Sequence, residues 1–162
     1  MKKLVLVLIA LLFTTTLHFS QVDEEKSSAS DKQFIRVSIE GSLKEFGVLT
    51  SAAVLETTNI NGSLEGPDGQ KALKIQLPGT DIGLFNLTSG AFAMYMGSGG
   101  TWQANEKAFD YGARLIVEIH DYDEYAIGTF SGTLVKSDPA SGTFLTLELE
   151  DGEFSIPVQR GK

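Results

Sequence analysis

Three acidic residues about three-quarters of the way along the chain have the residue types of a calcium site. Asp121, Asp123 and Glu124 stand close together, directly after a run with strand character. Carboxylate oxygens are ligands that Ca²⁺ prefers, and the ion takes about six to eight oxygens in total. The glycine and the terminal glutamate of an EF-hand loop are missing, so a solvated acidic hairpin fits the same residues. Calcium is therefore the one cofactor that the sequence allows, and no other is expected.

A second group consists of aromatic side chains that can form a flat platform for a sugar ring. Trp102 is the only tryptophan of the chain, and Tyr122 and Tyr125 lie within or beside the acidic segment. Aromatic rings combine a large apolar face with, in Trp and Tyr, a polar group, which suits a carbohydrate ligand. Ordinary packing of the same side chains in the core or at its rim is the alternative. The sequence thus predicts ligand binding at Trp102, Tyr122 and Tyr125, with a glycan or an unknown envelope protein as the partner.

The chain has few of the residues on which catalysis usually depends. His120 is the only histidine outside residues 1–20, and there is no cysteine, so the usual zinc and nucleophile sets cannot form. Several carboxylates near the C-terminus alternate between strand faces and a turn, and no pair stands out as the acid and base of a glycosidase. These carboxylates are Glu148, Glu150, Asp151 and Glu153. A non-catalytic protein is expected, with a glycan-active hydrolase as the enzyme alternative.

The N-terminus has the pattern of a secretory signal peptide. Lys2 and Lys3 precede an apolar run from Leu4 to Phe13, and small or polar residues follow up to Ser20. The run is shorter than the roughly 20 apolar residues that span a bilayer. Residues 1–20 are therefore predicted to be removed on export to the periplasm or the medium, which leaves no membrane span. Without a cysteine the mature protein has no lipid anchor, and residues 21–33, which are polar and serine-rich, are predicted to be a flexible acidic tether.

The charge of the chain argues against nucleic acid as a partner. The formal net charge is −8, and no cluster of lysine or arginine follows Lys3 in the sequence. An acidic chain repels phosphate backbones and anionic lipid surfaces. The charge permits association with cations but does not specify one.

Apolar residues alternate with polar ones from Phe34 onward, which is the period of a half-buried strand. The alternating runs are Ile35 to Ile39, Leu73 to Leu77, Leu115 to Ile119, Leu145 to Leu149 and Phe154 to Val158. Turn residues separate these runs at short intervals, as in all-β proteins with antiparallel strands. Residues 34–162 are therefore predicted to form a single all-β domain, either an antiparallel β-sandwich or a partly open barrel.

Glycines mark the turns and the irregular strand positions of this domain. Asn61-Gly62 has the residues of a tight hairpin, and the segment from Gly66 to Gly69 has those of a turn. Gly128 and Gly132 fall inside a run with strand character, where glycine often marks a bulge or a bend. A strongly curved or bulged strand is predicted there.

Three segments of the C-terminal half stand in a recognisable order: residues 112–118, residues 127–134 with Gly-Thr-Phe-Ser, and residues 149–158 with Asp-Gly-Glu-Phe-Ser-Ile-Pro. Together with residues 34–41 they resemble a family of small exported β-domains of unknown function from Bacteroidota. The resemblance covers most of residues 34–158. It implies an exported all-β domain and brings no catalytic residues. Many members are lipoproteins, and because this chain lacks the cysteine, a free periplasmic or secreted form is expected.

Overall fold

The computed structural model describes residues 33–50, 53–54 and 56–159. The predicted signal peptide (1–20) and nearly all of the predicted tether (21–33) lie outside the described residues, as do residues 160–162 of the predicted domain. The strands are β1 (Phe34–Ile39), β2 (Ser42–Thr50), β3 (Ala53–Val54), β4 (Thr57–Gly66), β5 (Gly69–Pro78), β6 (Gly83–Asn86), β7 (Phe92–Gly97), β8 (Gly100–Ala104), β9 (Arg114–Tyr122), β10 (Tyr125–Asp138) and β11 (Thr143–Pro157). Two short 3-10 helices span Leu87–Ser89 and Glu106–Tyr111. No helix among these residues is long and apolar enough to cross a membrane.

Eight of the strands form a closed antiparallel barrel. The order around the ring is β11, β1, β2, β4, β5, β7, β8 and β10, and β10 pairs again with β11. These strands follow one another along the chain, so the barrel is an up-and-down meander. β9 and β6 extend the sheet outward from β10, and β3 pairs with the start of β4. The predicted all-β fold is confirmed; of the two predicted architectures the barrel is present, and it is closed.

The alternating sequence pattern builds the barrel because every second side chain of each strand points inward. Burial along β1 alternates as predicted, with Ile35, Val37 and Ile39 inside. In β5 the buried residues are Leu73, Ile75 and Leu77. The interior is thus filled with aliphatic and aromatic side chains over most of its length.

The predicted bulge in the strand around Gly128 and Gly132 is confirmed. The register of β10 shifts against β9 between Ile127 and Gly128, and against β11 between Phe130 and Gly132. A Cβ atom at Gly128 would lie 2.1 Å from the carbonyl oxygen of Glu118, and one at Gly132 would lie 2.4 Å from that of Arg114. Glycine is therefore required where β9 crosses closely over the bent β10.

The hairpin predicted at Asn61-Gly62 is wrong, whereas the turn after Gly66 is confirmed. Asn61 and Gly62 lie inside β4, which continues to Gly66, and the chain then turns into β5. Gly62 has a packing role instead, because a Cβ atom there would lie 2.7 Å from Cβ of Phe46. A glycine inside a strand can thus serve close packing across the barrel and need not mark a turn.

Candidate ligand site at the mouth of the barrel

Four short turns surround one end of the barrel, which we call the mouth. They join β1 to β2 at residues 40–41, β4 to β5 at 67–68, β7 to β8 at 98–99, and β10 to β11 at 139–142. Turns of this length cannot fold over the end of a barrel. The inward-facing side chains of the strand residues next to these turns therefore line an open cavity of about 400 Å³ at this end.

Two aromatic side chains line one wall of the mouth. Tyr95 in β7 and Trp102 in β8 are cross-strand partners, and both point inward. The Tyr95 side chain is only 7% exposed and packs edge-on against Phe46, with ring centroids 6.5 Å apart. A Cβ atom at Gly97 would lie 2.8 Å from the Tyr95 hydroxyl oxygen, so glycine makes room for this ring. The two rings are therefore held by the wall of the barrel.

Three lysines surround the same cavity. Lys44 of β2 pairs across the strands with the buried Val37, which places its side chain on the inner face, and its ammonium donates to the Ser42 hydroxyl at 2.8 Å. Lys71 of β5 shares the inner face with Leu73, and its Nζ lies 3.8 Å from a carboxylate oxygen of Asp68. Lys136 of β10 donates to the carbonyl oxygen of Gly99. Three ammonium groups thus surround the cavity, and the carboxylates of Asp68 and Asp138 lie at the turns beside them.

Lys136 also connects the lysines to the aromatic wall. Its Nζ lies 4.6 Å from the centroid of the Trp102 ring, which is the distance of a cation–π contact. The contact fixes the ring at the rim and keeps one face of the indole against the ammonium. Trp102 is half-buried in this position and packs against the core.

Glu40 contributes a carboxylate to the lining of the mouth. It forms the β1–β2 turn together with Gly41, and both residues have positive φ, 51° for Glu40 and 72° for Gly41. Burial, and to a smaller extent the charge of Glu40, raises the pKa of Tyr95 above its ordinary value. The Tyr95 hydroxyl therefore keeps its proton in neutral solution and remains a hydrogen-bond donor.

The structure does not bring the three predicted ligand-binding residues together. Trp102 lies at the mouth, whereas Tyr122 and Tyr125 flank the β9–β10 turn at the other end of the barrel, which we call the base. There the Tyr122 hydroxyl oxygen lies 3.1 Å from that of the buried Thr58. Tyr122 is therefore part of the packing of the base, and a ligand-binding role for it and Tyr125 stays a prediction.

The predicted calcium residues lie at the β9–β10 turn, with Asp121 paired in the strand and Asp123 and Glu124 in the turn itself. All three are exposed. Within the described part of the chain, no group of three or more His, Asp or Glu side chains is arranged to hold a metal ion. The calcium site stays a prediction that this geometry does not strengthen.

The acidic residues near the C-terminus lie on the outer face of the sheet. Glu148, Glu150, Asp151 and Glu153 are all exposed. Asp151 and Glu153 line a second cavity of about 300 Å³ together with Glu118. His120 is exposed as well, with its Nδ1 3.8 Å from a carboxylate oxygen of Glu118. These groups are solvated, whereas the mouth combines ammonium, phenol, indole and carboxylate groups in one cavity.

Tyr95, Lys44 and Lys71 are not among the residues that the sequence predicts for a site. The alternation that predicts the strands places each of them on an inner face: Lys71 shares parity with Leu73, Lys44 with Phe46, and Tyr95 with Ala93. A lysine at an inward position next to a turn is the signal that identifies such a rim. Which of these residues come together in space, however, depends on how the strands close into the barrel.

No protein-family model, no curated protein and no solved structure matches this chain. The resemblance to the exported β-domain family accordingly stays a prediction.

Proposed function

We propose that this protein is an exported, non-catalytic binding module that takes a glycan in the mouth of its barrel. The observation that carries the proposal is the aromatic wall of Tyr95 and Trp102, which lines an open cavity in a barrel that is otherwise filled. Cavities of about 300 to 1,000 Å³ with aromatic walls and a few polar groups are typical ligand sites. The mouth lies at the lower end of this size range.

The chemistry of the wall fits a sugar ring. The ring face of a saccharide is apolar and packs on an indole or phenol, while its hydroxyl groups need polar partners at the edge. The Ser42 hydroxyl, the Tyr95 hydroxyl and the Trp102 indole N–H lie around the cavity and can supply such partners. A short saccharide is therefore favoured over an extended protein segment, which needs a larger surface.

Export is the second part of the proposal and depends on the signal-peptide pattern of residues 1–20. A barrel without cysteine folds without disulfides, so its core must stabilise it in any compartment. A protein of the cell envelope remains the alternative partner, and it would contact the loops of the mouth instead of filling the cavity.

The single tryptophan makes the proposal directly testable. Trp102 is the only tryptophan of the chain, so intrinsic fluorescence reports from the mouth alone. We expect a saturable change in this fluorescence when a panel of oligosaccharides, both neutral and acidic, is titrated into the purified protein. For a binding saccharide, Trp102→Leu should lower the affinity about tenfold by calorimetry, which corresponds to roughly 1.4 kcal/mol.

Tyr111→Leu is the matched control. Tyr111 is 53% exposed and stacks on Phe144 with ring centroids 4.0 Å apart, and it does not line the mouth. Its replacement removes an aromatic side chain and leaves the reporter in place, so the affinity should not change. Failure of every saccharide to alter the fluorescence, or equal losses in both variants, would refute binding at the mouth.

A further inference from the structure

We infer that the ligand of the mouth is an acidic saccharide, whose carboxylate is bound by Lys44 and Lys71 while its ring packs on the aromatic wall. This inference rests on the proposed function and specifies its ligand. The first observation is the distribution of charge. Lys44 and Lys71 line the cavity with a single carboxylate, that of Glu40, whereas Asp68 and Asp138 lie at the turns outside the lining.

The second observation is the burial of Lys71. Its side chain is only 16% exposed, while that of its partner Asp68 is 64% exposed and 3.8 Å away. The enclosed stem holds the ammonium in the lining of the cavity, and a single solvated carboxylate at 3.8 Å neutralises it only weakly. A ligand carboxylate that enters the cavity could form a closer, charge-assisted contact with this ammonium.

The hydrogen-bonding groups of the lining point to the same chemistry. Of the described side chains that line the cavity, Glu40 alone carries a carboxylate, whereas ammonium, phenol and indole groups supply several donors. Within the described part of the chain, neither the Tyr95 hydroxyl nor the Trp102 indole N–H has a hydrogen-bond partner, so both can donate to a ligand. A lining rich in donors and poor in acceptors favours an acceptor-rich, negatively charged ligand.

The size and shape of the cavity favour a saccharide over an inorganic anion. A cavity of about 400 Å³ leaves most of the aromatic wall uncovered if it holds a single phosphate or sulfate. A ring that bears a carboxylate uses both the wall and the lysines.

The test compares uronate polysaccharides with the same polymers after their carboxylates have been reduced to primary alcohols. Polygalacturonate, alginate and hyaluronan are suitable probes, because the two forms of each polymer differ in charge and share the ring framework. We expect at least one native polymer to give saturable Trp102 fluorescence changes, and its reduced form to bind at least tenfold more weakly. The affinity of the native form should fall as salt is added.

Variants then assign the carboxylate to the two lysines. Lys44→Gln combined with Lys71→Gln should lower the affinity for the native polymer at least tenfold and leave that for the reduced form unchanged. Lys107→Gln changes the net charge by one unit, is exposed outside the mouth, and should have no effect. Thermal melting of each variant verifies the fold, and Lys44→Gln alone serves if the double variant does not fold.

The outcomes separate the inference from the proposed function. Equal affinity of native and reduced polymers, or binding only of neutral saccharides, overturns the inference and leaves the glycan site intact. Equal competition by benzoate or inorganic phosphate overturns it too, because the site would then recognise an anion without a sugar ring. If no saccharide of either kind binds, the proposed function itself fails.

Discussion

The two ends of the barrel differ in how their inward-facing residues are covered. At the base, Thr58, Leu77, Ala126 and Ile156 are fully buried. At the mouth, Ile39 and Tyr95 are buried as well, but the inward side chains nearest the turns in the other six strands of the ring are half-buried or exposed; they are Lys44, Leu64, Lys71, Trp102, Lys136 and Leu145. Each strand of the ring thus runs between a sealed core at the base and an open rim at the mouth.

The lengths of the connections explain the difference. At the mouth, turns of a few residues return the chain directly into the next strand. At the base, the connection from β5 to β7 is long enough to include β6 and a 3-10 helix, and Gly79 at its start donates to the carbonyl oxygen of Glu56 at 2.8 Å. Long connections can cover a barrel end and short ones cannot, so the open cavity lies at the end with the short turns.

The largest effect is expected in the wall toward the base, at Gly128. A Cβ atom there would lie 2.1 Å from the carbonyl oxygen of Glu118 and 2.7 Å from the ring of Phe154. Gly128→Ala therefore forces β9 and β10 apart and should cost about 3 kcal/mol or more in the free energy of unfolding, as measured by urea denaturation.

Gly66→Ala provides the comparison at the mouth. Gly66 has no positive φ, and its nearest neighbour would be a backbone oxygen 3.9 Å from the new Cβ atom. This variant should stay within about 0.5 kcal/mol of the parent. Equal losses of stability in Gly128→Ala and Gly66→Ala would show that the wall toward the base is packed no more closely than the rim of the mouth.

A smaller effect is expected where hydrogen bonds seal the base. The Thr58 hydroxyl donates to the carbonyl oxygen of Gly79 at 2.9 Å and lies 3.1 Å from the hydroxyl oxygen of Tyr122. Thr58→Val keeps the shape of the side chain and removes these bonds, so it should cost about 1 to 2 kcal/mol of stability. Tyr122→Phe should cost less, and a double-mutant cycle should give a coupling of about 0.5 kcal/mol or more. Strict additivity would mean that the two hydroxyl groups do not interact.

At the mouth, ionisation of Tyr95 is expected to lower the stability of the folded protein at alkaline pH. Burial and Glu40 raise the pKa of Tyr95 in the folded state above the 10.0 of an ordinary tyrosine. The folded protein then holds this proton more tightly than the unfolded chain, so stability falls as the pH rises above about 10. Tyr95→Phe should lose less stability than the parent between neutral and alkaline pH in urea titrations. Tyr125→Phe is the control at the base, and an identical alkaline loss in parent and Tyr95→Phe would contradict the assignment.

The sequence predicts the strands well because each strand is a local pattern. Alternation identifies the inner faces of β1 and β5, and the glycines of β10 predict its bulges. Closure of the barrel is not local, since it depends on β10 pairing with both β8 and β11. The alternating pattern therefore does not predict whether the sheet closes.

The site could be predicted only in part for the same reason. Trp102 stands out as a single tryptophan, but its neighbours at the mouth come from strands far apart in the chain, such as Lys44 and Lys136. Sequence proximity instead grouped Tyr122 and Tyr125 with the acidic turn, and these residues lie at the base. The residue type of Trp102 identifies it as a candidate, whereas the other residues of the mouth can be recognised only once the closed barrel is known.

The smallest effect is expected at two glutamates with a strained backbone conformation, one at each end of the barrel. Glu40 at the mouth and Glu56 at the base both have positive φ, 51° and 61°, a conformation that asparagine adopts more readily than glutamate. Glu40→Asn and Glu56→Asn should therefore each gain about 0.5 to 1 kcal/mol in urea denaturation. Only Glu40→Asn removes a carboxylate from the mouth, so it alone should tighten the binding of a uronate saccharide, about threefold or more.

A gain in stability without a gain in affinity would mean that the Glu40 charge is screened from the ligand. Equal affinity changes in both variants would reflect the net charge of the protein instead of the position of the carboxylate. The pair thus separates backbone strain, which both ends share, from the electrostatics that belong to the mouth.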